Sequence, residues 1–131
     1  MLRDDWFMRQ LHEAADAIAR AFDNQIAGRF DDALEVLDEG WNGLLANDRT
    51  IFEMVDDATA ATLLGDARRV RAAARLAQAE GEVLAARGEP GAAAGRWRRA
   101  LALFTAAHAA HPVPEDAEYL ATVRERLGEE S

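Results

Sequence analysis

The sequence predicts an all-α fold, and three observations carry that expectation. Half of the 131 residues are hydrophobic, but Ala dominates that half, a composition that suits close-packed helices better than sheets. Apolar residues recur at three- and four-residue spacing along most of the chain. No segment alternates with period two and β-branched residues as a half-buried strand would. At this length a single domain over residues 1–131 is expected.

From Asp4 onward, Phe7, Leu11, Ala14, Ala15, Ile18, Phe22 and Ile26 fall on one stripe. A first helix with that face buried is expected, closing at Gly28, a residue able to take the left-handed conformation. Phe30, Ala33, Leu34, Leu37, Trp41, Leu44 and Leu45 mark a second helix, and the short connection turns it antiparallel to the first. Between Asn47 and Asp66 the rhythm breaks. There Thr50-Ile51-Phe52-Glu53 reads as a capping box opening a short helix, and Asp56-Asp57 as the cap of another that stops at Gly65. A long helix from about Asp66 to Arg87 carries Val70, Ala73, Ala74, Ala77, Gly81, Leu84 and Ala85 on one face. These small residues admit a close neighbour, whose bulk comes from Trp97, Leu101 and Phe104 on a helix starting near Pro90. Pro112 and Pro114 end that helix. A last one, spanning 114–127 with Ala117, Leu120, Ala121, Val123 and Leu127 apolar, is expected to cap the second hairpin.

The second hairpin resembles a tetratricopeptide repeat. Gly81 fits the family's first Gly, Leu84 its Tyr, Gly88 its turn, Ala93 its Ala, Trp97 its second aromatic, and Ala100-Leu101 the close of its second helix. A weaker echo runs through Gly28, Phe30, Ala33, Leu34 and Leu37, with Ala21 and Asn24 at the Gly and Tyr positions. Ala77 stands where the family has its leading aromatic, Glu80 where it has Leu, and Pro112 comes later than the family's Pro. The resemblance covers about half of the chain, and the two turn glycines lie further apart than the roughly 34 residues of a regular array. The opening Asp5-Trp6-Phe7-Met8-Arg9-Gln10-Leu11-His12-Glu13 followed by this hairpin is also similar to an uncharacterised family of small bacterial proteins of this repeat type. The resemblance implies a short array of stacked antiparallel hairpins, with a short-helix insertion and a C-terminal capping helix, binding peptides along a concave face. Carried onto this chain, the matching positions are Arg75, Gln78, Glu82 and Ala85, with Arg71 and Arg68 one and two turns earlier. A row of Arg68, Arg71 and Arg75 can clamp carboxylates bidentately, as in recognition of an acidic tail; the alternative is a solvated face with partners such as Glu82.

Chemistry is constrained by what the chain lacks. It has no Cys, and its single Ser is Ser131, which excludes serine and cysteine triads and cysteine-ligated metals. His108 and His111 share a helix face near a C-terminus, with Glu115 or Asp116 as a conceivable third ligand and His12 far off in sequence; interaction with helix-end carbonyls is the simpler account. Asp4-Asp5, Asp31-Asp32 and Asp56-Asp57 sit at expected helix starts, where carboxylates accept from free N–H groups, so capping is preferred to acid–base catalysis. No strand precedes a glycine loop that could cradle phosphate. The basic residues are all Arg, and the cluster Arg96, Arg98 and Arg99 around Trp97 reads as ordinary surface. Trp6-Phe7 must fold back or find a partner, self-association being the second choice.

A net charge of −9 opposes nucleic-acid binding. With no apolar run long enough to cross a bilayer and no signal-like start, a cytoplasmic location is expected and no membrane association. The expected function is therefore a non-enzymatic scaffold, without cofactor or metal, that binds a protein or peptide of unknown identity. The alternative is a structural homodimer in which apolar helix faces of two chains complete each other.

Overall fold

The computed structural model describes residues 2–45 and 49–128, with side chains from Asp5 on. Among them the chain forms seven α-helices and no strand: α1 (Leu2–Ile26), α2 (Phe30–Leu45), α3 (Arg49–Met54), α4 (Asp57–Leu64), α5 (Ala67–Ala86), α6 (Pro90–Ala110) and α7 (Asp116–Arg126). Asn47, Ser131 and the Asp4 carboxylate, named above, lie outside the described residues and side chains. Helix α1 packs on α2 and α5, α2 on α5, α5 on α6, and α6 in turn carries α7 and α4. No helix among the described residues is long and apolar enough to cross a membrane.

The α1–α2 and α5–α6 connections share one device. Gly28 and Gly88 take φ of 79° and 90°, and the next residue in each turn donates its N–H back into the ending helix, Arg29 to the Asn24 carbonyl at 2.8 Å and Glu89 to that of Leu84 at 2.9 Å. No atom lies within 4 Å of a Cβ built at either glycine, so the left-handed backbone is the requirement. Pro90 then opens α6 in its first turn.

Helix α5 is the centre of the molecule. Val70, Ala73, Ala74, Leu76, Ala77, Glu80, Gly81 and Val83 are buried, whereas Leu84 and Ala85 of the expected face are half-buried and exposed. Gly81 lies under the Trp97 indole so closely that any Cβ would overlap the ring, and Trp97 is core, at 8% exposure. On the other side, Phe104 stacks on Tyr119 with ring centroids 5.0 Å apart, tying α7 to α6.

Helix α1 departs from expectation. Its buried face is Gln10, Ala14, Ala17 and Ala21, whereas Phe22 and Ile26 are 59% and 70% exposed. The cause is close approach of α2, where a Cβ on Gly40 would sit 2.9 Å from that of Ala17. Only small residues fit such a seam, so the bulky stripe is turned away from α2. Trp6 is also exposed, while Phe7 is half-buried beneath the Arg68 guanidinium, 4.5 Å from its ring centre.

The segment between α2 and α5 differs at its start from its sequence reading. Helix α3 opens at Arg49, ahead of Thr50, so Thr50 does not cap it; Glu53 accepts instead from Arg49 and Arg96. Asp56 does cap α4, accepting from the Thr59 N–H at 2.7 Å, and α4 stops before Gly65. The Arg96–Arg98–Arg99 cluster is not ordinary surface. Arg99 is buried and donates to the carbonyls of Phe52 and Val55 and to Asp57, while Arg96 reaches Glu53 and Glu80; Arg98 alone is exposed. Six-residue α3 is too short to hold itself, and α6 supplies the donors its free carbonyls need.

Candidate functional site

The five polar residues that the sequence nominated lie on α5 and meet different fates. Arg75, Gln78 and Glu82 line a groove of about 200 Å3 between α1, α5 and α7. Ala21 of α1 and Ala79 and Val83 of α5 also line it. Ile18 and Phe22 of α1 form one wall and Tyr119 of α7 the other. Arg75 lies over the Tyr119 ring, 5.6 Å from its centre. Arg75 makes no ion pair among the described residues, and the Gln78 amide has no hydrogen-bond partner among them. Glu82 accepts from Arg126 of α7 at 3.0 Å.

The two N-terminal arginines are turned elsewhere. Arg71 grips the buried carboxylate of Asp116 bidentately, at 2.7 and 2.9 Å, and also donates to the His111 carbonyl. Arg68 hydrogen-bonds to Asp66 and covers Phe7. Arg68, Arg71 and Arg75 therefore do not present three guanidinium groups in one row.

Asp116 organises the corner between α6 and α7. Besides Arg71 it takes His108 Nδ1 at 2.9 Å and the Val113 N–H at 3.4 Å. The Arg71 hydrogen bonds, aided by those from His108 and Val113 and opposed by burial, hold its carboxyl down from 3.8 to about 2. Asp116 is thus an ionised anchor with its oxygens occupied. His108 meets Asp116 as a hydrogen-bonding partner, and among the described residues no three His, Asp or Glu side chains are placed to share a metal ion.

A second charged centre escaped sequence reading altogether. Glu80, at the position where the tetratricopeptide pattern has Leu, is buried and accepts from Trp41 Nε1 at 3.0 Å, Arg49 at 2.6 Å and Arg96 at 3.0 Å. Both guanidinium groups also lie over Trp41, 5.1 and 5.6 Å from its ring centre. The signal available beforehand was Glu80 itself, a carboxylate among the apolar residues of α5. The network joins α2, α3, α5 and α6, and none of its members lines the groove.

Two wider hollows are lined by polar side chains: Arg9, His12, Glu13, Asp16 and Glu39 border one between α1 and α2, and Asp38, Asn42, Arg49 and Glu53 one beside α3. Neither combines apolar walls with convergent polar groups as the α1–α5–α7 groove does. Comparison with protein-family models, curated proteins and solved structures gave no match to this chain.

Proposed function

We propose that this chain is a non-enzymatic, tetratricopeptide-like scaffold of the cytoplasm that receives a protein or peptide segment in the groove between α1, α5 and α7. In this reading α1–α2 and α5–α6 are stacked repeat hairpins, α3–α4 an insertion, and α7 a cap. The observation that carries it is the groove lining: apolar walls from Ile18, Phe22 and Tyr119 around Arg75, which rests on the Tyr119 ring, and Gln78, neither of whose side chains makes a hydrogen bond or ion pair among the described residues. A pocket of that kind offers apolar area for affinity and a few polar groups for orientation. The panning of a peptide-display library on the full chain, with amide chemical-shift mapping of the selected peptides, tests it. Shifts centred on Ile18, Arg75, Gln78 and Tyr119, with binding lost in Arg75→Glu, are expected; a footprint on the α2 side, or indifference to that substitution, overturns the reading.

The homodimer is the second reading, and one observation favours it: Phe22 and Ile26 are large, apolar and exposed on the same helix. Its test is solution mass by size-exclusion chromatography with light scattering over a wide concentration range. A persistent dimer that Phe22→Ser/Ile26→Ser converts to monomer establishes it, and a monomer at all concentrations removes it.

A further inference from the structure

Helix α1 carries two seams. The first, Gln10, Ala14, Ala17 and Ala21, packs against the rest of the molecule. The second consists of Met8, Leu11, Ala15, Ile18, Phe22 and Ile26, spaced 3, 4, 3, 4 and 4 residues apart. At 100° per residue the second seam lies about 110° around the helix from the first and runs for about 27 Å. Met8, Phe22 and Ile26 are exposed along it, and Leu11 and Ile18 are half-buried. Spacing of three and four is that of the apolar positions by which one helix receives another.

We infer that the occupant of the groove is an amphipathic helix with a basic flank, lying along this second seam of α1. The inference rests on the groove reading above and adds the partner's shape and charge. Shape follows from the seam, since a straight stripe of about five helical turns matches i, i+3, i+4 and i+7 anchors on a partner helix. An extended peptide would engage only the short stretch near Ile18 and Phe22.

Charge follows from the seam's solvent edge. Turning outward from the stripe, α1 presents His12 and then Asp5, Asp23 and Asp16, all exposed, and only beyond these three carboxylates come Arg9 and Arg20, next to Asp16 and turned toward α2, where Arg20 also meets Glu39. Asp16 has only a weak ion pair, 3.8 Å to Arg20. The whole chain adds a net charge of −9, which attracts a basic partner at long range. On the inner edge, Arg75 is left to take one carboxylate from that partner. The same edge argues against the other occupants. Pairing two copies antiparallel through this seam sets each acidic edge against its twin, and an anionic lipid surface is likewise repelled.

Three synthetic probes test this on the full chain: a three-heptad Leu-seamed peptide with Lys and Arg flanks, its counterpart with Glu flanks, and the basic peptide broken by a central Pro. Fluorescence anisotropy at low and high salt is the readout. The basic helix should bind about tenfold or more tighter than either other probe, and its advantage over the Glu peptide should shrink with salt. Phe22→Ser/Ile26→Ser should cost about tenfold or more in affinity, and Asp16→Asn/Asp23→Asn should weaken binding and flatten its salt dependence. Circular dichroism checks that both variants keep their helices. Equal or tighter binding of the Glu or Pro-broken probe overturns the inference and leaves the groove reading standing, as does failure of the basic helix while display-selected peptides still map to the groove. A dimer dispersed by Phe22→Ser/Ile26→Ser overturns it in favour of a second copy.

Discussion

Helices α1 and α5 border the same groove, yet one is enclosed and the other is bare along one side. Helix α5 is surrounded by α1, α2, α4 and α6, and its charges point into partners: Glu80 to Trp41, Arg49 and Arg96, and Arg71 to Asp116. Helix α1 packs on α2 and α5 through alanines and leaves Met8, Phe22 and Ile26 in solvent. Buried polar residues such as Glu80 are therefore structural on α5, where among the described residues only Arg75 and Gln78 turn unpaired polar groups to the groove, while apolar residues are available on α1, the reverse of what residue type alone suggests. Burial with partners, more than polarity, separates a structural residue from a candidate contact.

The sharpest way to break this contrast is at the α5–α6 contact. Trp97→Ala should lower stability by about 3 to 5 kcal/mol, because the ring fills the space that Gly81 leaves. Denaturant unfolding measures it, and an unchanged midpoint removes Trp97 from the core. Next, Glu80→Leu strands the Trp41 N–H and two guanidinium groups, so a loss of about 3 kcal/mol is expected. A neutral or stabilising result would mean that Arg49 and Arg96 are held adequately by Asp38 and Glu53.

A smaller effect, with a pH signature, is expected at Asp116. Its folded carboxyl is held at about 2, below the ordinary 3.8, so its contribution is present at neutral pH and is lost as pH falls through that window. That contribution is about 2 kcal/mol. The stability gap between the wild type and Asp116→Asn should therefore close between about pH 4 and pH 2; a gap constant with pH would show that Asp116 acts by shape rather than charge. Arg71→Glu should destabilise with it, whereas Arg75→Glu should leave the melting temperature close to wild type. The smallest effect belongs to α1: Phe22→Ser/Ile26→Ser should change stability by no more than about 0.5 kcal/mol. Marked unfolding there would mean that the seam is packed inside the molecule and is not a contact surface.

Much of the architecture was legible in local chemistry. The helix ends at Gly28, Gly65 and Gly88, the cap at Asp56, the start at Pro90 and the core position of Trp97 each follow from a rule that operates within a few residues. Less of the site was legible. Arg75, Gln78 and Glu82 could be placed on one face of a helix by counting, but counting could not reveal that Arg71, one turn before Arg75, is taken by Asp116 from another helix. Nor could it show that Arg99, next to exposed Arg98, is buried and donates to the carbonyls of Phe52 and Val55.

The amino-acid sequence by itself determined that this chain is helical and where most of its helices begin and end, because capping, glycine turns and apolar periodicity act through contacts a few residues apart. It also determined the absence of thiol chemistry and the net charge of −9. Tertiary structure alone decided which of the two apolar seams of α1 is core, since that depends on how closely α2 approaches at Gly40. It likewise decided which arginines are bonded internally and which face the groove. Those choices are made by partners distant in sequence, such as Leu44 for Arg69 at 25 residues and Phe52 for Arg99 at 47, and no local rule reaches that far.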